Sequence, residues 1–183
     1  MKHVARTAAQ ISTLPMPDRD HIQGPNDAPI KLVEYGDYEC PYCGEAYPIV
    51  KGIQESLGRR LCFAFRNFPL ANAHPNAEHA AEAAEAAHEQ GRFWEMHDLL
   101  YEHQDALADE DLAQYALDLG LDARRLISEV QAQAHASRIR EDFRSGAHNG
   151  VNGTPSFFIN GARYDGSVDV EELLAALTGP PLG

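Results

Sequence analysis

The chain has 183 residues, 44% of them apolar, enough for one compact domain with room for an inserted subdomain. Its 28 acidic residues against 15 basic ones give a formal net charge of −13 without any basic run, so nucleic acid is not an expected partner. No stretch approaches a transmembrane helix, and three cysteines are too few for a disulfide scaffold.

Residues 1–25 show no clear period. Pro15, Pro17, Gly24 and Pro25 argue for an extended, mostly irregular arm, either a loose tail or a strand docked on the edge of the core. The first twenty residues contain Lys2, Arg6, Asp18, Arg19 and Asp20 and no apolar run of signal-peptide length. As written, the chain is expected in the cytoplasm. A periplasmic or otherwise extracytoplasmic place follows if a leader was removed, and a domain cut from a longer protein would look the same.

Ile30, Leu32, Val33 and Tyr35 suit a short buried strand, and Ala46, Tyr47, Ile49, Val50, Ile53 and Leu57 recur at helical spacing. Between them lies Cys40-Pro41-Tyr42-Cys43. Pro41 fits the first turn of the helix, where backbone donors are unpaired anyway. Cys40 then sits at the positive end of the helix, where free N–H groups and the dipole favour a thiolate. Cys40 is the expected nucleophile and Cys43, one turn further in, the resolving thiol. A C-x-x-C spacing alone also suits half a zinc site or two unrelated core cysteines. The strand before it and the helix after it favour a redox dithiol.

Gly58 is a plausible helix stop. Leu61, Phe63, Phe65 and Phe68 suit a second buried strand, in which Cys62 is expected to be buried and inert. From Ala71 to Asn149 the pattern is helical, with four or five helices expected. Ala77, Ala80, Ala81, Ala84 and Ala87 make a small-residue face; Asp109 and Asp122 are candidate N-caps. Strand signals return at Ser156 to Ile159, Asn160-Gly161 is a hairpin turn, and Asp169 with Glu172 caps a last helix. His79 with Glu82 and Glu85 with His88 fall at i, i+3. Only one of the two pairs runs in the order a di-metal site needs, so these are expected to be solvated helix faces, and no metal site is expected.

Strand–Cys40-Pro41-Tyr42-Cys43–helix, followed by Gly153-Thr154-Pro155-Ser156-Phe157-Phe158-Ile159-Asn160-Gly161, resembles the DsbA-like thiol–disulfide oxidoreductases, and Phe93-Trp94-Glu95-Met96-His97 supports the likeness. The resemblance runs from about Asp27 to Leu177. It implies an α/β, thioredoxin-like fold with an inserted α-helical subdomain. The expected divisions are an arm over 1–25, the first part of the fold over 26–70, the helical insertion over 71–149 and the second part over 150–183.

The resemblance also implies roles. Thr154-Pro155 faces the dithiol with a cis bond, where local sequence alone would read an ordinary trans turn proline. Pro41, Tyr42, Thr154 and Pro155 are the residues expected to meet substrate. Glu34 matches an acid partly buried beneath the second cysteine, able to exchange protons with Cys43; read locally, it is a surface glutamate on an edge strand. Asp37 and Glu39 are expected to be solvated charges, and His97 a packed, hydrogen-bonded histidine beside Trp94. Tyr42 stands where many DsbA proteins carry a charged histidine. A potential between the thioredoxin and DsbA ends, roughly −270 to roughly −120 mV, is therefore expected.

The leading function is a monomeric protein disulfide oxidoreductase exchanging disulfides with protein or peptide substrates, with no cofactor beyond its dithiol. Its redox partner would be a membrane oxidase or a glutathione- or thioredoxin-type reductant. A dedicated isomerase is less expected, since about twenty-five residues cannot build a dimerisation domain. Two alternatives remain. One is a glutathione-linked transferase or isomerase of the same architecture, whose serine nucleophile Cys40 and Cys43 do not match. The other is a redox-linked partner-binding or metal-sensing module fused to or serving a membrane protein.

Overall fold

The computed structural model describes residues 12–181; what is expected of residues 1–11, including Lys2 and Arg6, lies outside the described residues. A short strand β1 (His21–Gln23) leads to β2 (Ile30–Gly36), helix α1 (Pro41–Leu57), a 3-10 turn and β3 (Leu61–Asn67). Five helices follow: α2 (Ala77–Glu89), α3 (Phe93–Glu102), α4 (Asp109–Asp118), α5 (Ala123–Gln131) and α6 (Ala136–His148). The chain then returns as β4 (Ser156–Ile159), β5 (Ala162–Tyr164) and α7 (Val170–Thr178). The sheet order is β1-β3-β2-β4-β5, with β2 and β3 parallel and the other pairs antiparallel. This is a thioredoxin-like α/β fold, with the five helices standing between β3 and β4. The arm read as mostly irregular includes β1, which pairs with β3 at the sheet edge.

The strands alternate as their period of two requires. Leu32, Phe63, Phe65, Phe157 and Ile159 join the cluster that also takes Val50, Ile53 and Leu57 of α1, Met96 and Leu100 of α3, and Leu173 and Leu177 of α7. Val33, Tyr35, Ala64 and Phe158 face the other way, with Phe68 and Val151. Each fully buried side chain of this size contributes about 1.5–3 kcal/mol by leaving water. Glu34 lies between Val33 and Tyr35, so it shares the Leu32 face, and only 3% of it is exposed. The local reading of a surface glutamate is thereby overturned.

Turn chemistry is local and behaves as its residues dictate. Asn160 and Gly161 take positive φ (49° and 89°), the hairpin turn expected of Asn-Gly. Gly58 caps α1 at φ 50°. Asp122 and Asp169 cap α5 and α7 by accepting the N–H groups of Arg125 and Glu172. Asp109 does not cap α4: Ala108 stands at the N-cap position with no side chain to offer, its own N–H donates to Asp111, and Asp109 instead accepts from His79 and Gln131.

The face expected to be solvated on α2 is only partly so: His88 is exposed and His79 half-buried, while both glutamates are buried. Glu82 accepts the His135 N–H at 2.8 Å. Glu85 is 3% exposed and meets His21 Nε2 at 3.0 Å and Asn67 Nδ2 at 2.7 Å. Helix α2 packs against α3, α4, α5 and α6, and its alanines let these neighbours approach. Its glutamates therefore find partners inside the protein rather than in water.

Candidate active site

Cys40 sits at the joint between strand and helix. It is the N-cap of α1, with extended backbone (φ −72°, ψ 121°), and Pro41 opens the first turn. The N–H groups of Tyr42 and Cys43 have no earlier carbonyl to bond and turn to the Cys40 sulfur. Cys40 is 4% exposed and Cys43 is fully buried. Both are free thiols here, as is Cys62, buried in β3.

The two sulfurs are electrostatically unequal. The Cys40 thiol is pulled down to about 5, first by a hydrogen bond from the Cys43 thiol. Burial opposes this, while Thr154 and the N–H groups of Cys43 and Tyr42 add to it. Cys43 is pushed well up, by burial first, then by the hydrogen bond it donates to Cys40, then by the charges of Glu34 and Cys40. One proton is thus held on the inner sulfur and a thiolate is favoured on the outer one. Burial also pushes the Glu34 carboxyl up to about 8, with the Cys40 charge adding.

The Thr154–Pro155 peptide is cis, at the start of β4. As a thiol, Cys40 Sγ donates to the Thr154 carbonyl oxygen at 3.4 Å. The Thr154 hydroxyl is buried without a hydrogen-bond partner among the described residues. It is the donor left to turn to the sulfur once the sulfur is charged. Pro41 and Tyr42 are exposed, Tyr42 to 70%, while Thr154 and Pro155 are half-buried. All four predicted substrate contacts belong to the two segments that flank Cys40.

Asp37 and Glu39 are not the solvated charges expected. Asp37 is 1% exposed. Its Oδ1 accepts the Glu39 N–H at 2.8 Å, and its Oδ2 accepts the Leu70 N–H and meets His74 Nδ1, each at 2.8 Å. Glu39 accepts the Asn76 N–H at 2.6 Å and Asn76 Nδ2 at 2.9 Å. The loop after β3 must satisfy its backbone donors, and this turn supplies the acceptors.

From the other side, Gln104 Nε2 donates to the carbonyls of Tyr38 and Cys40 at 2.8 and 2.9 Å. His97 meets Tyr38 Oη through Nδ1 at 2.9 Å, and burial pulls its pKa down to about 3, so it is a neutral packed histidine. The Tyr101 hydroxyl is buried without a partner among the described residues and lies against Gly36. A Cβ on Gly36 would come within 2.7 Å of that hydroxyl and 2.5 Å of the Phe65 ring, so only glycine fits there.

Asp37, His74, Asn76, Gln104 and Tyr101 had not been singled out as site residues. Their partners are distant in sequence. The one local signal was a run of turn residues around His74-Pro75 after a strand.

An acidic thiol at a helix N-terminus, a second thiol buried one turn further in and a buried acid stand together on a thioredoxin-like fold. A family model described as thioredoxin matches residues 17–178, and the chain belongs to that family. The structure is similar to BdbD of Bacillus subtilis in its oxidised form, with TM-score 0.79 and 23% identity over 90% of this chain and 94% of that one. It is also similar to a thioredoxin-like oxidoreductase of Silicibacter pomeroyi, with TM-score 0.75 and 27% identity over 85% and 88% of the two chains. MdbA of Corynebacterium diphtheriae, a thiol-disulfide oxidoreductase, is similar as well, with TM-score 0.71 and 19% identity over 91% of this chain and 93% of that one.

The curated relatives carry a different name. The chain is 49% identical over 162 residues to the Na(+)/H(+) antiporter NhaA 1 of Salinispora arenicola, covering 88% of this chain and 25% of the antiporter. It is 44% identical over 165 residues to a mycobacterial NhaA 1, covering 88% and 27%. The chain thus spans about a quarter of the length of the curated relatives it matches. No helix among the described residues is long and apolar enough to cross a membrane.

Proposed function

We propose that this chain is a thiol–disulfide oxidoreductase acting on protein or peptide substrates through Cys40 and Cys43. The observation that carries the reading is the unequal pair: a Cys40 thiol pulled down to about 5 beside a Cys43 thiol pushed up. In the oxidising direction, a substrate thiolate attacks Cys40 of the Cys40–Cys43 disulfide and Cys43 leaves as a thiolate that takes a proton. A second substrate thiolate then attacks the substrate sulfur of the mixed disulfide, and Cys40 leaves as a thiolate. The reducing direction runs these steps backwards: Cys40 attacks a substrate disulfide, and Cys43 resolves the mixed disulfide.

The remaining residues take roles around that exchange. Glu34, buried below Cys43, gives or accepts the Cys43 proton. Pro41, Tyr42, Thr154 and Pro155 form the surface on which a substrate strand lies, pairing at the Thr154 backbone. The helical unit over 71–149 closes the motif from the opposite side through Gln104. The protein acts as a monomer and needs no cofactor beyond the dithiol. Its partner is an oxidase or a reductant according to the compartment in which it works.

Two measurements test this reading. Insulin reduction by dithiothreitol should be accelerated by the protein and lost in Cys40→Ser. Cys43→Ser should keep attack and accumulate mixed disulfides on non-reducing gels. Adducts on Cys43 in the Cys40 variant, with none on Cys40 in the Cys43 variant, would reverse the roles. Trapping the native dithiol by acid and alkylation gives the working direction.

A second reading rests on the identity to part of the antiporters. In it, the chain is a redox module serving a membrane transporter, and its dithiol state governs the partner contact. Turnover on insulin comparable to thioredoxin-fold oxidoreductases favours the first reading. No turnover, with partner binding that changes between oxidised and reduced forms, favours the second.

A further inference from the structure

The Cys40-Pro41-Tyr42-Cys43 motif contains no cation, but His74, on the loop after β3, is bonded to the turn that carries Cys40. The turn that carries Cys40 is clasped to the loop after β3 at two points, Asp37 to Leu70 and His74, and Glu39 to Asn76. Cys40 itself belongs to that turn, its N–H donating to the Asp37 carbonyl at 3.2 Å. The Asp37 carboxyl is fully buried and spends one oxygen on a backbone N–H. Its other oxygen fixes the His74 ring through Nδ1, leaving the far side of the imidazole free to carry charge. The His74 side chain is 18% exposed, so its proton exchanges with water while its position stays fixed.

We propose that His74 is the cationic partner of Cys40, an imidazolium held on the loop after β3 that stabilises the thiolate from outside the motif. This rests on the thiol–disulfide reading above and adds the residue that tunes its reactivity. The charged groups that act most strongly on His74 are acidic: Asp37 and Glu39 of the turn, and Cys40 at the start of α1. Burial works against the ring's charge, but the Asp37 hydrogen bond and the charges of Asp37, Cys40 and Glu39 outweigh it, so its pKa is raised. Coupling between two sites is reciprocal: what Cys40 gives the imidazolium, the imidazolium gives the Cys40 thiolate. The pair is fully charged between about 5, where Cys40 ionises, and the raised midpoint of His74. Tyr42 at the motif's centre is then free to be a substrate contact, because the charge comes from another loop.

The test is the thiolate absorbance of the reduced protein at 240 nm against pH. H74Q should move the Cys40 midpoint up by about one pH unit, a tenfold loss in ionisation. The disulfide should become less oxidising by about 30 mV, the same tenfold change in the two-electron couple. H74K, which keeps a charge, should stay nearer the wild type. An unmoved midpoint in H74Q overturns the proposal. So does an equal rise in H74Q and H74K, which would trace the shift to the lost Asp37 bond.

If neither variant folds, the unsubstituted protein still decides. The His74 ring, followed by NMR, should titrate about one unit lower once Cys40 and Cys43 are oxidised and the thiolate is gone. Equal midpoints in the two redox states overturn the proposal. These are equilibrium readouts that need no turnover. Loss of the oxidoreductase reading would show as no insulin reduction with the thiolate–imidazolium coupling intact.

Discussion

Glu34 shows at the scale of one residue how burial sets a proton's place. Nothing in its local sequence distinguishes it from a surface acid; its strand register does, by turning it under α1 with Leu32. Its carboxyl is pushed up to about 8, by burial first. The folded state therefore holds a proton between the ordinary carboxylate range and pH 8 that the unfolded chain has already lost. Stability falls as pH rises through that window and levels off above it, by at most about 1.4 kcal/mol per pH unit. In the oxidised protein the Cys40 charge is absent but the burial remains, so the slope should survive there. Denaturant titrations of oxidised wild type and Glu34→Gln between pH 5 and 9 should show this slope in the wild type only. Equal slopes would mean that Glu34 is already ionised at neutral pH. The Cys40 thiol at about 5 lies below an ordinary thiol and above the strongest oxidant's roughly 3.5. The helix end was legible as a cause; the larger one, the Cys43 thiol donating sideways, depends on rotamers that no spacing reveals.

Elements were more legible than the contacts between them. Periods of two and of 3.6 are local, and they placed β2, β3, β4 and every helix close to where they stand. The cap of α4 slipped by one residue because Asp109, a good cap by composition, is drawn to His79 and Gln131 on neighbouring helices. On helix α2 the solvent face is confined to Glu78, His88 and Glu89, and its remaining acids, Glu82 and Glu85, lie against neighbouring elements, which spacing alone does not reveal. The end of α3 illustrates a function that periodicity cannot see. Just beyond it, Gln104 bonds two carbonyls of the active-site turn and lies over Gly44, where a Cβ would come within 2.0 Å of its Oε1. Both bonds are partly buried; removing the amide leaves the Tyr38 carbonyl short of a donor, while the Cys40 carbonyl keeps the Gly44 N–H at 3.1 Å. Gln104→Ala should lower stability by about 1–2 kcal/mol, read as a shift in urea midpoint with unchanged slope. No shift would mean that water replaces the amide without loss.

Across the whole molecule, the arm before β1 does what its irregular sequence does not announce. Arg66 sits on the second face of the sheet with Ala64 and is fully buried. It bonds Asp20 through two nitrogens at 3.0 and 2.7 Å, the carbonyls of Ser12 and Leu14, and the Tyr35 hydroxyl. Arg19 continues the chain of charges to Asp142 on α6 at 2.5 Å, and Asp142 accepts the Asn67 N–H at the end of β3. His21 then reaches Glu85 on α2. Arm, sheet and helical unit are thus tied by ion pairs and a histidine–carboxylate contact between residues 46 to 123 positions apart, separations over which sequence patterns carry no signal. Such pairs are weak evidence of net stabilisation, because desolvating both charges costs about what their attraction returns. Breaking one is different, since it strands the other charge in the interior. Asp20→Ala should therefore cost about 3–5 kcal/mol in urea unfolding, and the double variant Asp20→Ala with Arg66→Met should cost less than Asp20→Ala alone. That inequality separates a buried ion pair from simple packing. If Asp20 acted only by anchoring the arm through the Met16 N–H, adding Arg66→Met would deepen the loss instead of relieving it.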